Sequence, residues 1–378
     1  MSFTPDNTLR DWIALSFATG VGSRTAAMLI DRFGSAEECF RASKSELEAT
    51  GLRRESIDSL RNADISDRAD RELDELARIG GEVIPVTDSR YPALLRETYD
   101  PPLLLYTLGD LEDALAQPAV AIVGSRRCST YGKNVAEMLA RQLAERGVTI
   151  ISGLARGIDT SAHRGALDSR GLTVAVMGTG LEDVYPKENR RLAEQIREQG
   201  ALVTEFPLAT PPVSQNFPFR NRVISGMALG VLIIEGAERS GSLITARMAY
   251  EQGREVFAVP GNITSSKSFG PNYLIKDGAK LVQTWRDVVE EFPVELKASM
   301  LEAERGDTRP VQTGFDEVQL SDVERRLLKL LKADEPTHID RLITIAGVTS
   351  PELMNALLSL EMSDRIRQLP GKNFVKKL

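Results

Sequence analysis

The sequence predicts an α/β protein: a doubly wound and mostly parallel sheet, with a helical segment before it and a winged helix after it. Three observations carry that expectation. Short apolar runs alternate with amphipathic segments between residues 78 and 292, several of the runs end in glycine, and the flanks have helical periodicity instead.

The runs are Val120–Val123, Val148–Ile151, Thr173–Met177, Ala201–Thr204, Val231–Ile234 and Val256–Val259. They are uncharged and rich in β-branched residues, the composition of strands covered on both faces. Gly124, Gly153, Gly178, Gly236 and, after Pro260, Gly261 follow them. Strand, glycine turn and helix in repetition make βαβ units, whose ligands bind beyond the carboxyl ends of the strands.

Residues 1–77 carry Leu, Ile, Ala and Phe at spacings of three and four, which predicts a helical domain. Within it, Thr19-Gly20-Val21-Gly22 leads into an apolar helix. Such a hairpin serves either as a tight interhelical turn or as a seat for a phosphate. Residues 293–317, including Glu302–Gly314, are polar without a lasting period and read as a linker. Residues 318–378 form the winged-helix pattern. Ser321 and Glu324 make a capping box before Leu327–Leu331, His338–Ile343 gives a second helix, and Ser350-Pro351-Glu352 opens a third. Arg365–Leu369 and Asn373–Val375 are two short strands around Pro370-Gly371. Arg365, Arg367, Lys372, Lys376 and Lys377 make this end basic, as a wing on duplex phosphates, a solvated tail or a docking module would be.

Composition narrows the function. A net charge of −7 over 378 residues means that any polyanion must be met by a local basic surface. No stretch is long and apolar enough to span a membrane, and Met1–Arg10 has no signal-peptide core, so a cytoplasmic protein is expected. Cys39, Cys128, His163 and His338 are the only cysteines and histidines, too few and too scattered for a disulfide framework or a Cys/His metal cluster.

The glycine turns hold the candidate site. Gly124-Ser125-Arg126 can turn the chain, donate and reach an anion at a helix start. Gly153, Arg156 and Gly157 make a second anion nest, with Asp159 able to cap the helix and His163 expected to be packed on it. Tyr185-Pro186-Lys187-Glu188-Asn189 follows the third strand, and Gly241-Ser242 the fifth. Phe217, Phe219, Arg220, Asn221 and Arg222, expected just before a helix, interleave aromatic and basic side chains as a base-stacking platform does. Neither a Gly-x-Gly-x-x-Gly nor a Walker loop occurs, so no nucleotide cofactor and no ATP hydrolysis are expected.

Gly-Ser-Arg, Ser-Gly-x-Ala-x-Gly-x-Asp, Gly-x-Gly with Tyr-Pro and Asn downstream, Phe-Pro-x-Arg-Asn-Arg, Ser-Gly-Ser-Leu-x-Thr-Ala and Pro-Gly-Asn stand here in one order. That series resembles the DNA processing protein A (DprA/Smf) family. The flanks resemble its sterile-alpha-motif-like and winged-helix domains. The resemblance implies an extended Rossmann-like domain in a homodimer without enzymatic activity that binds single-stranded DNA. It would load RecA onto strands covered by single-stranded-DNA-binding protein, as in natural transformation. The pocket it implies uses Ser125, Arg126, Arg156, Asn189, Phe217, Phe219, Arg220, Asn221 and Arg222, with Gly153, Gly241 and Ser242 as backbone donors. Two alternatives stand beside it. One is a nucleotide-hydrolysing enzyme of the lysine-decarboxylase-like Rossmann group, although Arg239–Ala246 lacks that group's acid and Glu251 lies too far along. The other is a sensor of a free nucleotide.

Overall fold

The structure is a computed structural model that describes residues 5–298, 300, 320–333, 335–363 and 365–377. Six helices come first: α1 (Pro5–Phe17), α2 (Ser23–Phe33), α3 (Ala36–Arg41), α4 (Lys44–Glu48), α5 (Arg54–Leu60) and α6 (Asp64–Ile79). Ser35 caps α3 and Ser43 with Glu46 makes a capping box on α4, each satisfying backbone donors that a helix start leaves open. The Gly20 hairpin is a packed interhelical turn. Gly20 takes φ of +72° with its Cα against Ser56, and Thr19 donates to the Ser59 hydroxyl of α5 at 2.9 Å.

The sheet strands are β1 (Gly81–Pro85), β2 (Leu104–Gly109), β3 (Ala119–Val123), β4 (Thr149–Ser152), β5 (Thr173–Val176), β6 (Gly200–Thr204), β7 (Gly230–Ile233), β8 (Glu255–Ala258) and β9 (Lys280–Leu281). Among the described residues they form one sheet in the order β1-β2-β6-β5-β4-β3-β7-β8-β9. From β6 to β9 every pair is parallel, which is the doubly wound sheet that the glycine-ended runs predict. The antiparallel ribbon β1–β2 on the edge is an addition to that reading. Its Leu103–Leu105 run is not β-branched and its first strand begins at Gly81 and ends at Pro85, so neither segment has a strand signature.

The remaining helices are α7 (Ala93–Arg96), α8 (Leu111–Leu115), α9 (Thr130–Ala144), α10 (Ile158–Asp168), α11 (Arg190–Glu198), α12 (Asn216–Gly226), α13 (Gly241–Glu251), α14 (Phe269–Lys276) and α15 (Trp285–Val289). The pleat sorts the central strands between two cores. Val120, Ile122 and Leu232 face Leu139, Leu143 and Ala162 of α9 and α10. Ala121, Val123, Val231 and Ile233 face Val223 and Ile224 of α12 and Ala246 of α13. Each large aliphatic side chain buried in this way contributes about 1.5–3 kcal/mol. A third core joins the N-terminal helices to the sheet edge, with Trp12, Ile13, Leu29 and Leu76 against Val83, Leu104, Tyr106 and Leu208.

Part of the expected linker is helical, since residues 294–298 continue in helix after Pro293, while Glu302–Gly314 lie outside the described residues. The C-terminal region has its own core around Leu327, Leu342, Leu353 and Phe374. It contains α16 (Asp322–Leu330), α17 (Ile339–Ala346), α18 (Ser350–Met362), and the strands β10 (Thr337–His338), β11 (Ile366–Leu369) and β12 (Asn373–Lys376). The Ser321–Glu324 capping box is formed, and β10 adds a third strand to the predicted hairpin. Arg367 of that hairpin is not turned to solvent alone: it bonds Glu137 of α9 at 3.0 and 3.2 Å.

Candidate nucleic-acid interface

The order β4-β3-β7-β8 reverses between β3 and β7, and beyond the carboxyl ends of these strands lies a cleft of about 690 Å³. Its wall begins where β3 ends. Gly124 is forced by proximity, since a Cβ there would stand 2.7 Å from Ile158. The next residue, Ser125, donates its backbone N–H to Glu235 O at 2.8 Å, which holds the turn against the end of β7. Arg126 is exposed, with its guanidinium 5.0 Å from the centre of the Phe217 ring.

Phe217–Arg222 lies inside α12 and not before it, a correction to the sequence reading. Pro218 falls in the first turn, where its missing N–H costs no hydrogen bond. Helical winding then distributes the motif around an axis. Phe217 and Asn221, one turn apart, line the cleft with Ser125, Arg126, Gly241 and Ser242. Phe217 also meets Tyr185 at 5.8 Å between ring centres and fills the space that Gly178 leaves. Phe219 projects outward and is 58% exposed.

The two arginines of the motif are held by the protein itself. Arg220 is 4% exposed and forms part of the cleft floor. It donates to Val176 O at 3.3 Å and stands 4.0 Å from Asp159 Oδ2. Burial lowers its pKa to about 10, so it remains charged at neutrality. Gly153 has no room for a side chain because the Arg220 guanidinium lies where a Cβ would be. Asp159 accepts from the backbone N–H groups of Gly153 at 3.2 Å and Ala155 at 3.4 Å, and burial raises its carboxyl pKa against the pull of Arg220. Arg222 points away from the cleft and bonds Glu205 and Asp100 O. Burial of Glu205 pushes its carboxyl up to about 7.

Three other expected residues lie outside the cleft lining. Arg156 is exposed in a two-bond pair with Glu188, at 2.9 and 2.8 Å. Asn189 is buried and ties Leu154 O and the Thr160 hydroxyl at 2.8 and 2.9 Å. Gly153 acts from behind, through the contacts just described. At the opposite wall Ser240 caps α13, its hydroxyl accepting from the Ser242 N–H at 3.3 Å. The structure adds Tyr185, Pro212, Ser214 and Ile244 to the lining. The Pro211-Pro212 pair marks a loop in the sequence, but nothing there shows that it folds over the cleft.

His163 is the packed histidine that its alanine neighbours suggest. The Thr173 hydroxyl donates to Ile150 O at 2.7 Å, so it accepts from His163 Nδ1–H at 2.8 Å. Complete burial, with Arg220 nearby, lowers the imidazole pKa to about 3. Among the described residues no group of His, Cys, Asp and Glu could hold a metal ion, and no single helix is long and apolar enough to cross a membrane.

Residues 82–293 match the family described as DNA recombination-mediator protein A. The chain belongs to that family. Residues 313–372 match the DprA winged helix domain. Among curated members, Protein Smf of Escherichia coli K12 is 44% identical over 292 residues, covering 76% of each chain. The solved structure of DNA processing protein A (DprA) from Streptococcus pneumoniae superposes with a TM-score of 0.66 at 35% identity, over 78% of this chain and 99% of that one. DNA processing protein A from Helicobacter pylori, described for its single-stranded DNA binding mode, gives a TM-score of 0.51 at 28% identity, over 59% of this chain and 96% of that one. The recombination-mediator family thus accounts for both the parallel sheet with its cleft and the C-terminal winged helix.

Proposed function

We propose that this recombination mediator holds single-stranded DNA along the cleft and places RecA on it. It would do so as a cytoplasmic homodimer acting on strands covered by single-stranded-DNA-binding protein, with no hydrolysis of its own. The binding unit is residues 78–292, with 1–77 and 318–378 as accessory domains and 293–317 joining them. One observation carries the reading: an exposed cation, Arg126, lines a cleft that also contains the Phe217 ring, and the same helix carries the exposed ring of Phe219. Unpaired bases stack on aromatic faces regardless of sequence, while a cation beside them meets the backbone. The single-strand binding described for the Helicobacter pylori protein supports the same assignment.

The full-length protein is expected to bind a thymine oligomer more tightly than a duplex of equal length. Affinity should fall as salt rises, through counterion release. Arg126→Ala should flatten that salt slope. Phe219→Ala should weaken binding by about 1–3 kcal/mol with the slope kept, the worth of one stacked base. Fluorescence anisotropy at two salt concentrations measures all of these, and equal affinity for duplex and single strand would refute the assignment.

A further inference from the structure

Rossmann-type turns bind phosphate because a helix start offers several unpaired N–H groups and a partial positive charge. Here several of those donors are already engaged. At the β3–α9 turn, Ser125 N–H bonds Glu235 O at 2.8 Å and Arg127 N–H bonds the Ser125 hydroxyl at 3.2 Å. The Ser129 N–H and hydroxyl both donate to the Glu235 carboxylate, the first at 2.7 Å. Gly132 N–H is taken by the Ser129 hydroxyl at 3.0 Å. Glu235 is 4% exposed and lies so close over the first turn of α9 that a Cβ on Gly132 would come 2.6 Å from its carboxyl carbon. The β4–α10 turn repeats the arrangement. Asp159 accepts from Gly153 and Ala155, and Ile158 N–H bonds Ser125 O at 3.3 Å.

We propose that Glu235, with Asp159 in the same role, is a specificity-determining residue that fills the phosphate seats of the fold with resident carboxylates. The cleft thereby rejects free mononucleotides and dinucleotides and keeps only phosphates within a strand. This rests on the single-strand reading above. A terminal phosphate is close to a dianion at neutral pH and needs several donors at once. Glu235 takes the Ser129 N–H and hydroxyl at the start of α9 and places a like charge there. A phosphodiester carries one charge, and the aromatic rings hold its bases, so it can lie along Arg126 and the start of α13. There Gly241 leaves open space where a side chain would begin.

Isothermal titration of the full-length protein with thymidine 5′-monophosphate tests this. Wild-type protein is expected to show no binding, and Glu235→Ala, with the seat vacated, to gain affinity of about tenfold or more. A folded Glu235→Ala protein with no gain would overturn the proposal, as would wild-type protein that binds the monophosphate at micromolar concentration. A second arm needs no variant, should Glu235→Ala fail to fold: wild-type affinities for a thymine trimer with and without a 5′-phosphate. Equal affinities are expected, and tighter binding of the phosphorylated trimer by about tenfold overturns the idea. Failure of the single-strand reading looks different, because then neither trimer binds while the monophosphate arm still reads out.

Discussion

Replacing Arg220 by alanine is expected to destabilise the sheet domain by about 3–5 kcal/mol, the cost of removing one partner from a buried charge pair. The guanidinium is 4% exposed beneath the cleft, and its loss leaves Asp159 buried at 4.0 Å from an empty space. For a domain of this size that corresponds to roughly 6–20 °C in melting temperature. The outcome separates two roles that the Phe-Pro-x-Arg-Asn-Arg motif allows. A phosphate contact would flatten the salt dependence of DNA binding and leave melting alone. A floor residue lowers melting first and weakens binding only as a consequence. Calorimetry of Arg220→Ala beside Arg126→Ala decides, and equal melting of the two variants would return Arg220 to the surface role.

The second large effect concerns acid. His163 titrates near 6.5 when unfolded and at about 3 in the fold, because burial penalises the imidazolium. Between these values the unfolded chain binds a proton that the native one does not. The contribution of His163 is therefore complete above pH 6.5 and is lost as pH falls, by about 1.4 kcal/mol per unit. At pH 4.5 this amounts to about 2–3 kcal/mol. Glu205 works in the opposite direction, since its folded value of about 7 exceeds the usual 4.5 and favours the native state as pH falls through that window. The two partly cancel in a single pH curve. The useful quantity is the difference between wild type and His163→Gln in urea unfolding from pH 7 to 4.5. The wild-type curve should lose ground steadily, and parallel curves would show that His163 is not the cause.

Much of the architecture was legible in the sequence for one reason: strands covered on both faces must be uncharged throughout, and Val120–Val123 or Val231–Ile234 cannot be anything else once a glycine turn follows. The β1–β2 ribbon joins the sheet only through β2 and β6, with β1 at the open edge, and its second strand is leucine-rich, so it carried no such mark. The site was legible in its address but not in its orientation. In an extended segment before a helix, Arg220 and Arg222, two residues apart, would share a face; wound into α12, they lie on nearly opposite sides. One enters the floor, the other meets Glu205, and of the aromatic and basic side chains only Phe219 is left well exposed. Burial of a charged side chain depends on where a distant acid stands, here Asp159 and Glu205, and spacing along the chain does not encode that.

The shared core of the N-terminal helices and the sheet edge bears on how such a protein can be cut and recombined. Leu76 of α6 packs with Val83, Tyr106 and Leu208, and the Glu72 carboxylate accepts from the backbone of Leu208 at 2.6 Å. The helical segment is therefore not a detachable bead. A break near residue 80 strips an apolar face from β1, β2 and the loop after β6, and an exchanged N-terminal segment is compatible only if these surfaces travel with it. The C-terminal region has its own core around Leu327, Leu342 and Phe374, and meets the sheet domain through Arg367 and Glu137.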